Sequence, residues 1–154
     1  MKRSTALFLQ IAIVVVGVAA LAFLLGEPHV EGRNAHATVF EIYFKDPFLA
    51  YVYVGSIPFF WALYRAFGLC GKVRQSGSFS PETVDALRTI QRCAITLLCF
   101  VAGGLVIIAL FGDKEDRPPG IMMGLLFAIG ASVTALAAAK FARRVQRTLG
   151  GVSP

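Results

Sequence analysis

The chain has 154 residues and a net charge of +6; 56% of its residues are apolar and only 16% charged. A soluble surface needs about a quarter charged residues, so a freestanding soluble domain is excluded, and the length leaves no room for one beside several membrane spans. The positive balance does not indicate nucleic acid, because no soluble basic face with base-reading or stacking groups is present.

Four stretches, residues 5–25, 47–64, 93–111 and 119–139, contain no Asp, Glu, Lys, Arg or His. A bilayer core about 30 Å thick needs about 20 apolar residues of helix, so each can span. Spanning β-strands would alternate in polarity; Ile11-Ala12-Ile13-Val14-Val15-Val16 does not. The fold class expected is all-α: a four-helix integral membrane bundle, up-down-up-down, forming one domain over residues 1–154. The spans fall near residues 5–25, 47–69, 93–111 and 119–139.

Lys2 and Arg3 open the first span. Its apolar run exceeds the about 7–15 residues of a signal-peptide core, and the nearest A-x-A beyond it, Ala35-His36-Ala37, lies well past Leu25, so a retained helix is expected. The loop at 26–45 carries an aromatic-rich run, Val39-Phe40-Glu41-Ile42-Tyr43-Phe44, suited to the headgroup layer. Asp46-Pro47 reads as an N-cap followed by proline at the first helical position.

In span two, Pro58 removes a backbone donor and predicts a kink near residues 54–58. Aromatics crowd the end of this span, and Arg65 can extend to the interface. Residues 71–79, with Gly71, Ser76, Gly77 and Ser78, read as a polar connection.

Helix three has a clear start: Ser80 as N-cap, Pro81 as first residue, Glu82 at the positive end of the dipole, and Phe79 with Val84 at staple spacing. Val84, Leu87, Ile90 and Ala94 alternate with Asp85, Arg88, Gln91 and Arg92 at helical period. The helix therefore begins in water and enters the bilayer near Cys93. Helix four is expected after Arg117-Pro118-Pro119, with a close-packing face of Gly120, Gly124 and Ala128 that continues through small residues. Beyond it, residues 140–154 form a basic tail. Phe141, Val145 and Leu149 recur every four residues, as in a helix lying along the inner leaflet.

Eleven Lys and Arg flank the termini and the middle connection, against four in the other two loops. Basic short loops stay cytoplasmic, so both termini are expected in the cytoplasm of a multi-pass inner-membrane protein. Lys2, Arg3, Arg65, Lys72, Arg74, Lys140, Arg143, Arg144 and Arg147 serve topology and contact with anionic headgroups.

No catalytic constellation is legible. Cys70, Cys93 and Cys99 form no C-x-x-C and read as small apolar filler, with acylation of Cys70 or Cys93 as the alternative. His29 and His36 are the candidate metal ligands, near Glu27 and Glu31, but zinc wants about four convergent ligands and this spacing matches no standard site. Residues 113–117 read as a solvated turn. The polar residues available at depth in the spans are Gln10, Ser56, Thr96, Ser132 and Thr134, whereas transporters and proton relays usually keep ionisable residues there.

The run Ser56-Ile57-Pro58-Phe59-Phe60-Trp61-Ala62-Leu63-Tyr64-Arg65-Ala66-Phe67 is distinctive. With Gly77-Ser78-Phe79-Ser80, the Val84, Leu87, Ile90, Cys93, Ala94 spacing and the turn Glu115-Asp116-Arg117-Pro118-Pro119-Gly120, it resembles the bacterial membrane family catalogued as domain of unknown function 2975. The resemblance implies a small four-helix inner-membrane protein of bacteria, and it brings no enzyme activity, cofactor or catalytic residue to carry over. It also implies a helix-turn-helix regulator as a partner, because family members are often encoded beside one. The expected function is a non-enzymatic accessory or regulatory protein whose cytoplasmic face, with Arg74, Arg88 and Arg92 as contacts, binds such a regulator or another membrane protein. The alternative is a small transporter or channel, which would have to work as a homo-oligomer.

Overall fold

In a computed structural model, which describes residues 3–30, 47–112, 114 and 117–151, the described residues form four helices: α1 (Arg3–Val30), α2 (Pro47–Ser76), α3 (Pro81–Phe111) and α4 (Arg117–Gly150). There is no strand among the described residues. All four helices are long and apolar enough to cross a membrane, so this is an all-α membrane protein. They pack antiparallel and in chain order, α1 on α2, α2 on α3 and α3 most extensively on α4.

The helices outrun the apolar stretches. α1 continues through Glu27-Pro28-His29 to Val30, taking in the start of the segment read as a loop. α2 continues through Gly71 to Ser76, where the polar composition had suggested a connection. Polarity there reports contact with water, not a break: Val73 is buried within this last stretch. The stop comes at Gly77, whose φ of 67° is the left-handed conformation that glycine adopts without a Cβ clash. Its N–H closes the helix on the Val73 carbonyl at 3.0 Å.

α2 runs unbroken through Pro58. The ring leaves the Val54 carbonyl without its helical donor, and one residue away the Ser56 hydroxyl donates to the Tyr53 carbonyl at 2.7 Å. α4 begins at Arg117 and takes both following prolines into its first turn, where their missing N–H groups cost nothing. The Arg117 Nε donates to the Gly112 carbonyl at 2.7 Å and covers the end of α3.

Within the apolar stretches the interfaces are made by small residues. A Cβ on Gly124 would lie 2.5 Å from Leu105 Cδ2, and one on Gly120 would lie 3.3 Å from Ile108. Ala131 is buried and Ala128 half-buried beside them. Between α2 and α3, the Tyr51 hydroxyl donates to the Phe100 carbonyl at 2.7 Å, directly over Gly103, which has no side chain to obstruct it. Lipid is as apolar as leucine, so association at this depth depends on close approach and hydrogen bonds.

Candidate functional site

Among the described residues, most of the buried side chains lie at one end of the molecule, the end carrying the α2–α3 turn and the tip of α4. Thr83, Val84, Ala86, Leu87, Ile90 and Ala94 of α3, Val73 of α2, and Ala138, Ala142 and Val145 of α4 are all buried. Val84, Leu87, Ala142 and Val145 form a single cluster, flanked by Leu69, Phe79 and Leu149. Phe79 meets Phe141 edge to face, with centroids 5.5 Å apart.

Part of the stripe expected to lie on the inner leaflet is thus turned against protein, through Val145 and the half-buried Leu149, while Phe141 is exposed. Val145 is only 2% exposed. An apolar face at helical spacing satisfies lipid and a helix partner equally well; here α3 supplies the partner, through the amphipathic turns that precede its apolar stretch.

The start of α3 is built for this position. Ser80 is extended at φ −125° and ψ 168°. Its N–H is accepted by the Thr83 hydroxyl at 3.2 Å, while the Thr83 N–H bonds the Ser80 carbonyl at 2.9 Å. Thr83 therefore makes the reciprocal contact of a capping box, a role absent from the sequence reading because Thr is less usual there than Glu or Gln. Glu82 instead forms an ion pair with Lys72 of α2. The Lys72 hydrogen bond, followed by its charge, holds the Glu82 carboxyl below the usual carboxylate range. This pair and the Gly77 turn tie α2 to the α3–α4 platform.

Around that apolar cluster the exposed charged groups are mostly basic, with Asp85 and the Lys72-paired Glu82 as the acidic ones. Arg88 and Arg92 stand one turn apart on α3, and Lys140, Arg143, Arg144 and Arg147 crowd the exposed surface of α4. The last four, with Thr148, line a shallow depression of about 460 Å³. The Arg74 guanidinium donates to the Gln10 side-chain oxygen at 3.3 Å, which places it at the α1–α2 seam. Gln10, only 9% exposed, also donates to the Phe67 carbonyl at 3.4 Å. The signal for it was its isolation as the one amide side chain in an otherwise apolar span.

Arg65 is half-buried on α2, and its Nε is enclosed without a hydrogen-bond partner among the described residues. Cys70 and Cys93 are half-buried and Cys99 is exposed; all three are free. Thr96 and Thr134 each donate back to their own helix, to Arg92 and Gly130. No three of His, Cys, Asp and Glu gather among the described residues. The candidate ligand His36 lies outside the described residues, and His29 is the residue before the last of α1, with only its backbone described. Lys2 also lies outside them, and only the backbone of Arg3 is described.

A family model described as "Protein of unknown function (DUF2975)" matches residues 33–147. A relative in Bacillus subtilis (strain 168), the uncharacterized membrane protein YoaS, is 36% identical over 142 residues, spanning 90% of this chain and 88% of its own length. No solved structure matches the chain.

Proposed function

Because the chain belongs to the DUF2975 family, whose description assigns no activity, we propose a function read from its surfaces: a non-enzymatic accessory protein of the bacterial inner membrane whose basic end, in the cytoplasm, holds a second protein. The excess of Lys and Arg around the termini and the α2–α3 turn supports the orientation. The absence of a legible nucleophile–base pair in the sequence supports the non-enzymatic reading.

The observation that carries the proposal is the packed pair of helix ends beyond the apolar stretches. From Pro81 to Cys93, α3 extends about 18 Å at 1.5 Å per residue, and α4 extends a similar distance past Ala139. Crossing the bilayer requires neither extension. Ordering so many residues is opposed by conformational entropy, and here it is offset by a buried apolar cluster of the kind a soluble domain uses. The result is a firm platform displaying Arg88, Arg92, Lys140, Arg143, Arg144 and Arg147. Its chemistry suits a partner with an acidic face, and the helix-turn-helix regulator implied by the family resemblance is the first candidate.

The test is purification from native membranes with the partner captured, comparing the wild type with Arg88→Gln/Arg92→Gln and with Arg143→Gln/Arg144→Gln/Arg147→Gln. Loss of one specific protein with membrane insertion retained supports the platform. Capture unaffected by both sets refutes it. Capture restored only when anionic lipid is added would assign the array to headgroups instead.

A further inference from the structure

We propose that the seam between α1 and α2 at the basic end is a binding site for one anionic phospholipid, with the phosphate on Arg74 and an acyl chain in the groove below it. The groove is an open depression of about 380 Å³ lined by Leu7, Gln10, Ile11, Val14, Val15, Phe67 and Arg74.

Its polarity runs in one direction. α1 enters the membrane from its amino end, so Val14 lies about 10 Å deeper than Leu7. α2 runs the opposite way, so Phe67 lies about 10 Å deeper than Arg74. The charged group stands at the mouth, and everything deeper is apolar except Gln10. That gradient matches a lipid placed in its own leaflet, headgroup outward and chain inward. A free phosphate could use only the mouth.

Arg74 is set up to receive a phosphate. It is exposed, and one of its terminal nitrogens is engaged by Gln10. A guanidinium carries five N–H donors in a planar fork that fits phosphate bidentately, so donors remain for a ligand. Gln10 is held in turn by the Phe67 carbonyl. It can reach the α2 backbone because Gly71 has no side chain: a Cβ there would lie 3.2 Å from the Gln10 amide nitrogen. Gln10 is thus a positioning residue for the guanidinium. Among the described residues no acidic side chain lines the groove, and Glu82, across the turn, is engaged by Lys72. The counter-charge is left for the ligand to supply.

The experiment reconstitutes the full chain into phosphatidylcholine vesicles containing a minor fraction of phosphatidylglycerol. The protein is re-extracted in mild detergent, and the retained lipids are quantified by mass spectrometry. The wild type should retain phosphatidylglycerol about tenfold above its share of the vesicle, the enrichment of one good charged contact. Arg74→Gln should bring the ratio back to that of the vesicle, and Arg74→Lys should keep only part of it. Val15→Trp, at a 61% exposed position that tolerates bulk, should displace the lipid with all charges intact. Should Arg74→Gln fail to fold, Val15→Trp decides.

Equal retention of the two lipids by the wild type overturns the proposal. So does a loss on Lys140→Gln as large as that on Arg74→Gln, which would mean diffuse surface charge. Retention unchanged in Val15→Trp rules out the acyl groove. Displacement by excess inorganic phosphate would make the mouth a simple anion site, and a protein recovered in place of lipid would make the seam a protein interface.

Discussion

Leu87→Ala separates the two environments in which this protein packs its helices. Leu87 is 6% exposed and lies in the cluster with Val84, Ala142 and Val145, in the part of α3 that precedes its apolar stretch. The substitution removes three carbons. At about 0.8 kcal/mol per buried methylene, the lost transfer is about 2.4 kcal/mol, and the cavity left behind adds to it. Two effects work against that. Alanine is the slightly better helix former, and Leu69, Phe79 and Leu149 are only partly buried and can move inward. The expected net loss is about 2–3 kcal/mol.

The control is Leu125→Ala on α4, 51% exposed within the apolar stretch. Lipid replaces what leucine contacted there, so the change should stay within about 0.5 kcal/mol. Two measurements check this: unfolding of the purified protein by titrated denaturing detergent, and the rate of trypsin cleavage after Arg143, Arg144 and Arg147. A local loss of 2–3 kcal/mol raises the open population about 30- to 150-fold, and cleavage should accelerate accordingly in Leu87→Ala alone. Equal losses in the two variants, or unchanged cleavage in Leu87→Ala, would mean that the helix ends are not held by an aqueous core.

Gly124→Val should weaken the α3–α4 interface by about 1–3 kcal/mol through overpacking, since even a Cβ would lie 2.5 Å from Leu105. Leu105→Ala should recover much of the loss, and the double-mutant cycle should show a coupling above about 0.5 kcal/mol; strict additivity would refute the contact. The Lys72–Glu82 pair sets a pH dependence. A carboxyl held below its usual range contributes stability above that range, and the contribution fades as pH falls through the lowered value. Both side chains are well exposed, so the effect on stability is small, and the Glu82 titration followed by carbon-detected NMR is the better readout. Lys72→Gln should move it back toward the ordinary carboxylate range, and an unmoved titration would refute the pairing.

The four helices were legible because lipid imposes one simple demand: about 20 apolar residues in a row. The start of α3 was legible for a different reason, since Ser80 and Pro81 are local signals that work without tertiary context. Two features were not. The end of α2 looked like a loop because Lys72, Arg74, Gln75 and Ser76 are polar, yet the helix continues on the strength of Val73 inside and of Gly77 as the actual stop. The α4 tail looked like a surface-lying helix because period alone cannot say what covers an apolar stripe. Val145 faces α3 through contacts distant in sequence, and only a three-dimensional arrangement reveals them. The Gln10–Arg74 contact was hidden for the same reason, since 64 positions separate the two residues.

The α3–α4 pair thus uses two kinds of adhesion along one continuous length. In the apolar stretches Gly120, Gly124 and Ala131 bring the helices close, because lipid offers no hydrophobic drive. Past them, where water supplies that drive, bulkier Val84, Leu87 and Val145 take over. α3 is unbroken from Pro81 to Phe111 and α4 from Arg117 to Gly150, so both regions belong to the same two rods. A protein bound on Arg88, Arg92 and the α4 cations would hold the exposed ends of helices whose other halves are fixed by glycine contacts in the bilayer. A lipid at Arg74 would act on α1 and α2, reaching that pair only through the Lys72–Glu82 bridge, the Gly77 turn and the α2–α3 interface. The two surfaces are therefore separable by mutation: Arg74→Gln should leave protein capture intact, and Arg88→Gln/Arg92→Gln should leave lipid retention intact. Loss of both functions in either variant would show that the seam and the platform form one site.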